Sequence, residues 1–340
     1  MKKNVALFDS TAKQAEAFIQ GLEAATQEEW EVLVLRANQG RKNKLVNFLR
    51  YVKYFTFPFV VFLNRKKYNH IIGWQAFYGL LFAFYCRVFR VKKVNTLLIK
   101  NLVYKPKKGW IGKLYFAFMR YIITSDYVDI IVCSSERYCT YCAETFGVPK
   151  DKFCFVPFGV NDFTNRVEPN PSAACDYILA LGRSNRDWDF LIDGLKDCTY
   201  PVKIVCDELK RNDLPEHIRI YNNVWHDDAY RFVRDCRCVI IPIKDGDIVA
   251  GETVLIQAMS FSKPIIITKP SCLADDYVTD GENGLVVPKE KQALLAAVRK
   301  LMEDQTFYQK LAVSCRKTYE DKHSLYSFGV NVGIVLTQKG

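Results

Sequence analysis

The chain has 340 residues, about half of them apolar and a quarter charged, with a net charge of +11. That length exceeds one ordinary hydrophobic core, and the composition is that of a soluble globular protein, which argues against disordered, collagenous or low-complexity classes. Twelve cysteines with no accompanying histidine cluster give no zinc-ligand pattern, and free thiols in that number suit a reducing cytosol.

The chain opens with two lysines and an apolar run that stops at Asp9, too short for a signal-peptide core. Residues 3–8 and 30–35 read as strands around a helix at 11–25. Residues 69–74, 96–99, 130–133 and 153–157 continue as short apolar strands, with helices at 111–124 and 136–146. This alternation predicts a parallel sheet with right-handed crossovers. The apolar run 54–63 is half the length of a membrane span, and the uncharged run 71–86 is interrupted by Gly73, Gln75 and Gly79. A strand followed by a buried helix accounts for the second run, and no span is expected.

Residues 160–174 are polar and proline-bearing, the best linker in the chain. A second alternation follows. Strands are predicted at 177–182, 202–206, 239–242, 264–268 and 284–287. Helices are predicted at 188–195, 228–236, 253–261, 291–303 and 306–322. The expected organisation is a first Rossmann-like domain at 1–160, facing acceptor or membrane, and a linker at 161–175. A second Rossmann-like domain follows at 176–315, with helices at 316–340 packing back on the first. Two such sheets facing a central cleft would place a ligand at the carboxyl ends of the strands.

Charge is unevenly spread. Residues 1–160 hold 25 Lys/Arg against 11 Asp/Glu, and residues 32–124 contain no acidic residue at all. Soluble surfaces normally mix signs, so this implies an anionic partner: membrane lipid, a phosphorylated acceptor or nucleic acid. No recognition-helix or RNA-sheet motif supports the last. The aromatic-rich basic segments 41–67 and 105–120 favour an anionic membrane, with Arg65, Lys66, Lys67, Lys105, Lys107 and Lys108 as the contacting cations.

Three segments suggest chemistry. In 246–264 a polar loop reaches Gly251 and opens a helix, whose free amides and dipole can hold an anion. Glycine permits close approach of a phosphate, Thr253 adds a hydroxyl, and Gln257 lies one turn further on the same face. A ligand-free capped helix fits the same residues equally well. Gly182 to Arg186 (GRSNR) follows a strand, and two arginines three apart can clamp a diphosphate, although a solvated turn is the plainer reading. Asp280 to Gly284 (DGENG) reads as a turn. The four histidines, His70, His217, His226 and His323, are dispersed and form neither a nucleophile nor a metal constellation.

Several blocks resemble, in order, the retaining glycosyltransferase family 4, a bacterial GT-B group with a glycogen-synthase-like C-terminal domain. They are Ile131 to Glu136 (IVCSSE), Phe146 to Lys152 (FGVPKDK) with Val156 to Val160 (VPFGV), Leu181 to Arg183 (LGR), Gln257 to Met259 (QAM), Lys263 to Ile266 (KPII) and Asp280 to Pro288 (DGENGLVVP). They span roughly 130–305, while the first 125 residues match loosely.

The resemblance implies a GT-B fold and a nucleotide-diphosphate sugar, UDP- or GDP-linked, as co-substrate with no other cofactor and no metal. It also implies retention at the anomeric carbon and an acceptor in bacterial surface polysaccharide or glycolipid synthesis, on the inner face of the cell membrane. By motif position Arg183 and Arg186 would meet the diphosphate, Gly251, Glu252 and Thr253 the phosphate, and Gln257 the ribose. Gln257 stands where the family has its second signature glutamate, and Val249 where it has the first. Glu252, Asp245 or Asp247 would supply the carboxylate, the first two being the expected catalytic residues. The Gly-Gly loop after the first strand is absent, and Lys100-Asn101 replaces an acceptor-side histidine. These departures admit a second expectation, a non-catalytic GT-B subunit partnering another glycosyltransferase.

Overall fold

The computed structural model describes residues 2–35, 44–172 and 175–339. The chain divides into two compact units, Met1–Val156 with Phe328–Gly340, and Pro157–Ser327. The division falls at Val156, and of the stretch 316–340 only the part from Phe328 onward groups with the first unit.

The first unit runs β1 (Lys3–Phe8), α1 (Ala12–Thr26), β2 (Trp30–Val34), α2 (Lys44–Leu63), β3 (Tyr68–Gly73), α3 (Ala76–Val88), β4 (Thr96–Ile99), α4 (Gly109–Ile123), β5 (Ile130–Cys133), α5 (Glu136–Phe146) and β6 (Phe153–Phe155). Its six strands are parallel in the order β2-β1-β3-β4-β5-β6. Strands β1, β4 and β5 are buried along almost their whole length and carry short apolar runs such as IIVC, so they show no alternation. Thr11 and Gln14 close a capping box on α1, and Ser135 caps α5, which ends at Gly147 in the left-handed region.

The second unit runs β7 (Ile178–Leu181), α6 (Trp188–Leu195), β8 (Val202–Val205), β9 (Ile218–Tyr221), α7 (Asp227–Asp235), β10 (Cys238–Ile241), α8 (Glu252–Ser260), β11 (Ile265–Lys269), α9 (Cys272–Tyr277), β12 (Leu285–Pro288), α10 (Lys291–Glu303) and α11 (Gln305–Thr318), with a π turn at Tyr319–His323. Its parallel order is β12-β11-β10-β7-β8-β9. Chain order reverses between β7 and β10, which pair directly through Ile178↔Cys238 and Ala180↔Ile240. The loops leaving those strands therefore emerge side by side, where open α/β sheets bind ligands.

The last helix, α12 (Leu325–Lys339), brings Phe328 onto Phe18 of α1 in the first unit. A Cβ at Gly329 would stand 2.1 Å from the Phe18 carbonyl oxygen, and one at Gly333 would stand 2.6 Å from the Ala25 methyl. Only glycine allows those helices to lie so close.

The sequence shows only half of α2. The apolar run 54–63 is the carboxyl half of a twenty-residue helix that continues through Pro58. Among the described residues α2 is the one helix long and apolar enough to cross a membrane, and little of it is buried. Its carboxyl half packs on α3, with Phe59 against Tyr85 and Phe62 against Phe89. Of the aromatics read as membrane-facing, Phe62 is buried and Phe57 packs on Tyr78, whereas Phe55 is exposed. Arg41 and Lys42 lie outside the described residues.

Candidate functional site

At the β7–β10 switch point the two loops are laced together by backbone and side-chain bonds. Asp187 N–H donates to the Pro242 carbonyl at 2.8 Å, and Lys244 N–H to the Asn185 carbonyl at 3.2 Å. Asn185, at φ +57°, turns its amide across the gap. Its Nδ2 donates to the carbonyls of Asp245 (2.8 Å) and Ile248 (3.1 Å), and its Oδ1 accepts from Asp245 N–H at 2.8 Å. Lys289 adds a second clasp, donating to Asp187 Oδ2 at 3.1 Å and the Lys244 carbonyl at 2.8 Å. From the other side, Cys272 N–H donates to the Gly246 carbonyl, and a Cβ on Gly246 would meet the Pro270 carbonyl oxygen at 2.6 Å.

The two predicted arginines have different environments. Arg183 is exposed, its guanidinium over the Trp225 ring at 5.4 Å. Arg186 is buried beneath both loops, 7% exposed. Its Nη1 donates to the carbonyls of Ser184 (2.9 Å) and Ala250 (3.5 Å), and its Nε to Leu181 at 3.3 Å. Burial pushes the guanidinium down to about 10, with the Glu252 carboxylate pulling the other way. It stays charged at neutral pH.

Two glycines, sixty-nine positions apart, make room for that cation. Gly182 has φ +128° and Gly251 φ +113°, and a Cβ on either would stand 2.9 Å from Arg186 Nη2. Gly251 also caps α8, whose first turn holds Glu252 and the exposed Thr253, with Gln257 half-buried one turn on. A buried positive charge behind two glycines, at the positive end of a helix, is weakly screened by water and suits a polyanion. Asp245 lies exposed in the same loop, where its Oδ1 accepts from Asp247 N–H at 3.0 Å.

Sequence reasoning brought out Arg183, Arg186, Gly251, Glu252, Thr253, Gln257 and Asp245, all on these two loops or on α8. It missed Asn185, Lys289 and Trp225. For Asn185 the left-handed residue in a turn is the available sequence signal; for the other two there is none. Asp280 to Gly284 forms a plain turn, with Asn283 Oδ1 accepting from Thr279 N–H at 2.7 Å and Asp280 Oδ1 from Val286 N–H at 2.8 Å.

In the first unit, Lys100 follows β4 and is buried, its ammonium 3.6 Å from the centre of the Trp74 ring. Burial pushes it down to about 7, against the pull of Asp9. Asp9, Trp74 and Lys100 follow β1, β3 and β4, so all three stand at the carboxyl edge of that sheet. The two basic clusters expected to act together lie at opposite edges. Arg65, Lys66 and Lys67 precede β3, and Lys66 and Lys67 line a cavity of about 590 Å³ with Lys2, Lys3, Glu31 and Tyr68 at the amino edge. Lys105, Lys107 and Lys108 lie exposed between β4 and α4, at the carboxyl edge. The crossover connections separate the clusters, since the chain traverses the sheet between them.

Residues 180–318 match the family model described as glycosyl transferases group 1. No curated protein matches the sequence. Among solved structures, Anabaena Alr3699/HepE in complex with UDP superposes with a TM-score of 0.67 at 14% identity, over 99% of this chain and 100% of that one. A glycosyltransferase from Rickettsia africae gives 0.63 at 14% identity over 100% of both chains. The lipopolysaccharide outer core galactosyltransferase WaaB, in its apo form, gives 0.64 at 14% identity, again over 100% of both. At these identities the likeness establishes the fold, two parallel six-stranded α/β units of the GT-B type. The family match falls on the unit that carries the buried arginine and the two glycine turns, and it supports glycosyltransferase function. Residues 180–318 thus match a glycosyl transferases group 1 domain within a chain of GT-B fold.

Proposed function

We propose that this protein is a retaining, metal-independent glycosyltransferase that takes a sugar from a UDP- or GDP-sugar. Its acceptor is a membrane-associated, lipid-linked glycan in bacterial surface polysaccharide or glycolipid synthesis, reached from the cytoplasmic face of the cell membrane. The observation that carries the donor half is the buried Arg186 charge behind Gly182 and Gly251 at the start of α8. Departure of a nucleoside diphosphate concentrates negative charge on its phosphates. Arg186, the first-turn amides of α8 and the exposed Arg183 would meet that charge, already oriented when it develops. Gln257 would hold the ribose, and Glu252 and Asp245 would be the carboxylates that act on the reacting sugar. The nucleophile is a hydroxyl of the acceptor.

Support for the donor class comes from Anabaena Alr3699/HepE, solved with UDP and with UDP-glucose. Support for the acceptor class comes from WaaB and from WaaG, which is described as a glycosyltransferase involved in lipopolysaccharide biosynthesis. The test is release of nucleoside diphosphate, and labelling of extracted membrane lipid, across a panel of labelled nucleotide sugars. Labelled lipid with one donor supports the reading. A second reading, a non-catalytic subunit partnering another transferase, is favoured by Gln257 and Val249 standing at the two glutamate positions. Donor binding without turnover on any lipid extract would select it.

A further inference from the structure

We infer that the protein rests on an anionic bilayer through the amino-terminal half of α2 and the first turn of α4, at the carboxyl edge of the first unit's sheet. The purpose assigned to this surface rests on the proposed membrane-associated acceptor; its residues do not.

The case begins with topology. In a parallel sheet each connecting helix starts at the carboxyl edge of the strand before it, so the amino ends of α2, α3 and α4 share one edge. The three helices form one layer. Phe59 and Phe62 of α2 pack on Tyr85 and Phe89 beside α3, and Phe84 of α3 packs on Phe118 of α4. Helix α2 has 20 residues where α3 has 13. The difference carries α2 about 10 Å further at 1.5 Å per residue.

The amino-terminal half of α2 is apolar and exposed. Phe48 (63%), Leu49 (49%) and Tyr51 (57%) face water together with Val46 and Val52, and Phe55 (47%), at the start of the carboxyl half, continues the exposed group. On α4, Trp110 (74%), Ile111 (54%) and Leu114 (63%) do the same. Gly112 ties the lysine loop to this turn, because a Cβ there would stand 1.8 Å from the Lys107 carbonyl oxygen. The exposed Lys105, Lys107, Lys108 and Lys113 therefore lie on or next to the turn that carries the α4 apolar group, and the exposed Lys53 accompanies the α2 group. No carboxylate occurs between residues 32 and 124.

Exposed aromatic and aliphatic groups with cations beside them are what an acidic lipid surface accepts. Interfacial helices bury their apolar groups about 5–10 Å deep, and the overhang of α2 is long enough to carry its apolar group to that depth. Helix α2 does not cross. Its carboxyl half is part of the α3 packing, with Val61 and Phe62 buried, and runs at once into β3 through Arg65 to Lys67. The cations at the opposite, amino edge take no part. This docking would bring a lipid-borne acceptor to the edge that holds Asp9, Trp74 and Lys100.

The test uses the full chain and vesicles of phosphatidylcholine, with and without phosphatidylglycerol. Sedimentation should require phosphatidylglycerol and weaken as salt rises. Phe48→Ser with Leu49→Ser, and separately Trp110→Ser with Leu114→Ser, should each weaken it by about tenfold or more. Lys105→Glu, Lys107→Glu and Lys108→Glu together should do the same by charge. Val313→Ser, at an exposed valine of the second unit, and Arg65→Glu with Lys66→Glu and Lys67→Glu should sediment as wild type. Brominated lipid should quench the native chain more than Trp110→Phe, a readout that does not depend on any polar substitution being tolerated. Wild-type protein left in the supernatant with both vesicles, or equal sedimentation by all variants, overturns the inference. A dimer that the same serine variants dissolve, with no vesicle binding, would assign the face to a second copy instead. Nucleotide-sugar binding is measured on the same samples: its loss with vesicle binding intact rejects the donor reading alone, and the converse rejects the surface alone.

Discussion

Arg183 and Arg186 lie three residues apart on one loop, and their unequal burial predicts different consequences for removing them. Arg186 makes two hydrogen bonds to carbonyls within 3.3 Å and a longer one to Ala250. A bond to a charged group contributes about 1.5–3 kcal/mol, while desolvating the guanidinium, whose pKa burial lowers to about 10, offsets about 3 kcal/mol of that sum. Arg186→Ala also strands the Leu181 and Ser184 carbonyls. The net loss should be about 2 kcal/mol, a fall in Tm of about 4–8 °C, and the freed glycine turns should lose donor affinity with it. Arg183 is exposed, so Arg183→Ala should leave stability within about 0.5 kcal/mol. It should weaken nucleotide-sugar binding by about ten- to a hundredfold, the value of one charged contact. Thermal unfolding of both variants beside calorimetric titration with a UDP-sugar separates the two effects. An Arg186→Ala midpoint equal to wild type would show that the guanidinium does not tie the loops. Unchanged donor affinity in Arg183→Ala would remove the exposed arginine from the site.

Gly251→Val should abolish donor binding, and with φ +113° and a Cβ 2.9 Å from Arg186 Nη2 it should also cost about 1–3 kcal/mol of stability, read by the same melts. Gln257→Ala removes one neutral contact and should weaken binding by about 1 kcal/mol with no change in melting. A larger effect on binding than that of Gly251→Val would contradict the helix-terminus site. His323 is buried, its Nδ1 3.2 Å from the Phe158 carbonyl oxygen, and burial pushes it from 6.5 down to about 4. The unfolded chain therefore binds a proton that the folded chain does not between those values, and stability should fall by about 3 kcal/mol as pH drops through that window. His323→Gln should flatten that part of the profile of unfolding midpoint against pH, and an unaltered profile would place the titration elsewhere.

How much the sequence shows depends on how local the determinants are. Strands β4 and β5 and helices α5, α6 and α10 have the bounds expected from sequence, because uninterrupted apolar runs and caps such as Ser135 and Asp187 mark them locally. Strand β9 was missed because IRIY is short and only its first residue is buried. The extent of α2 was missed because Arg50 and Lys53 interrupt the apolar run on its amino side and Pro58 within it argues against a helix, while the helix continues through all three. The loops of the candidate site were legible from glycine, arginine and helix-start signals. The unequal burial of Arg183 and Arg186 was not, since it depends on Gly182 and Gly251 meeting across the switch point. The separation of the two basic clusters is likewise a property of strand order, which charge counting along the chain cannot reveal.

The central claim is that the second unit binds a nucleotide-diphosphate sugar over the two glycine turns. Its most direct measurement is a thermal-shift titration of the full chain with UDP, GDP and their sugar conjugates, in parallel on wild type and Gly251→Val. One nucleotide series should stabilise the wild type in a saturable way, by about 2.7 kcal/mol at a hundred times its Kd, and leave Gly251→Val unmoved. No shift in the wild type with any nucleotide, or an equal shift in both proteins, would contradict the account.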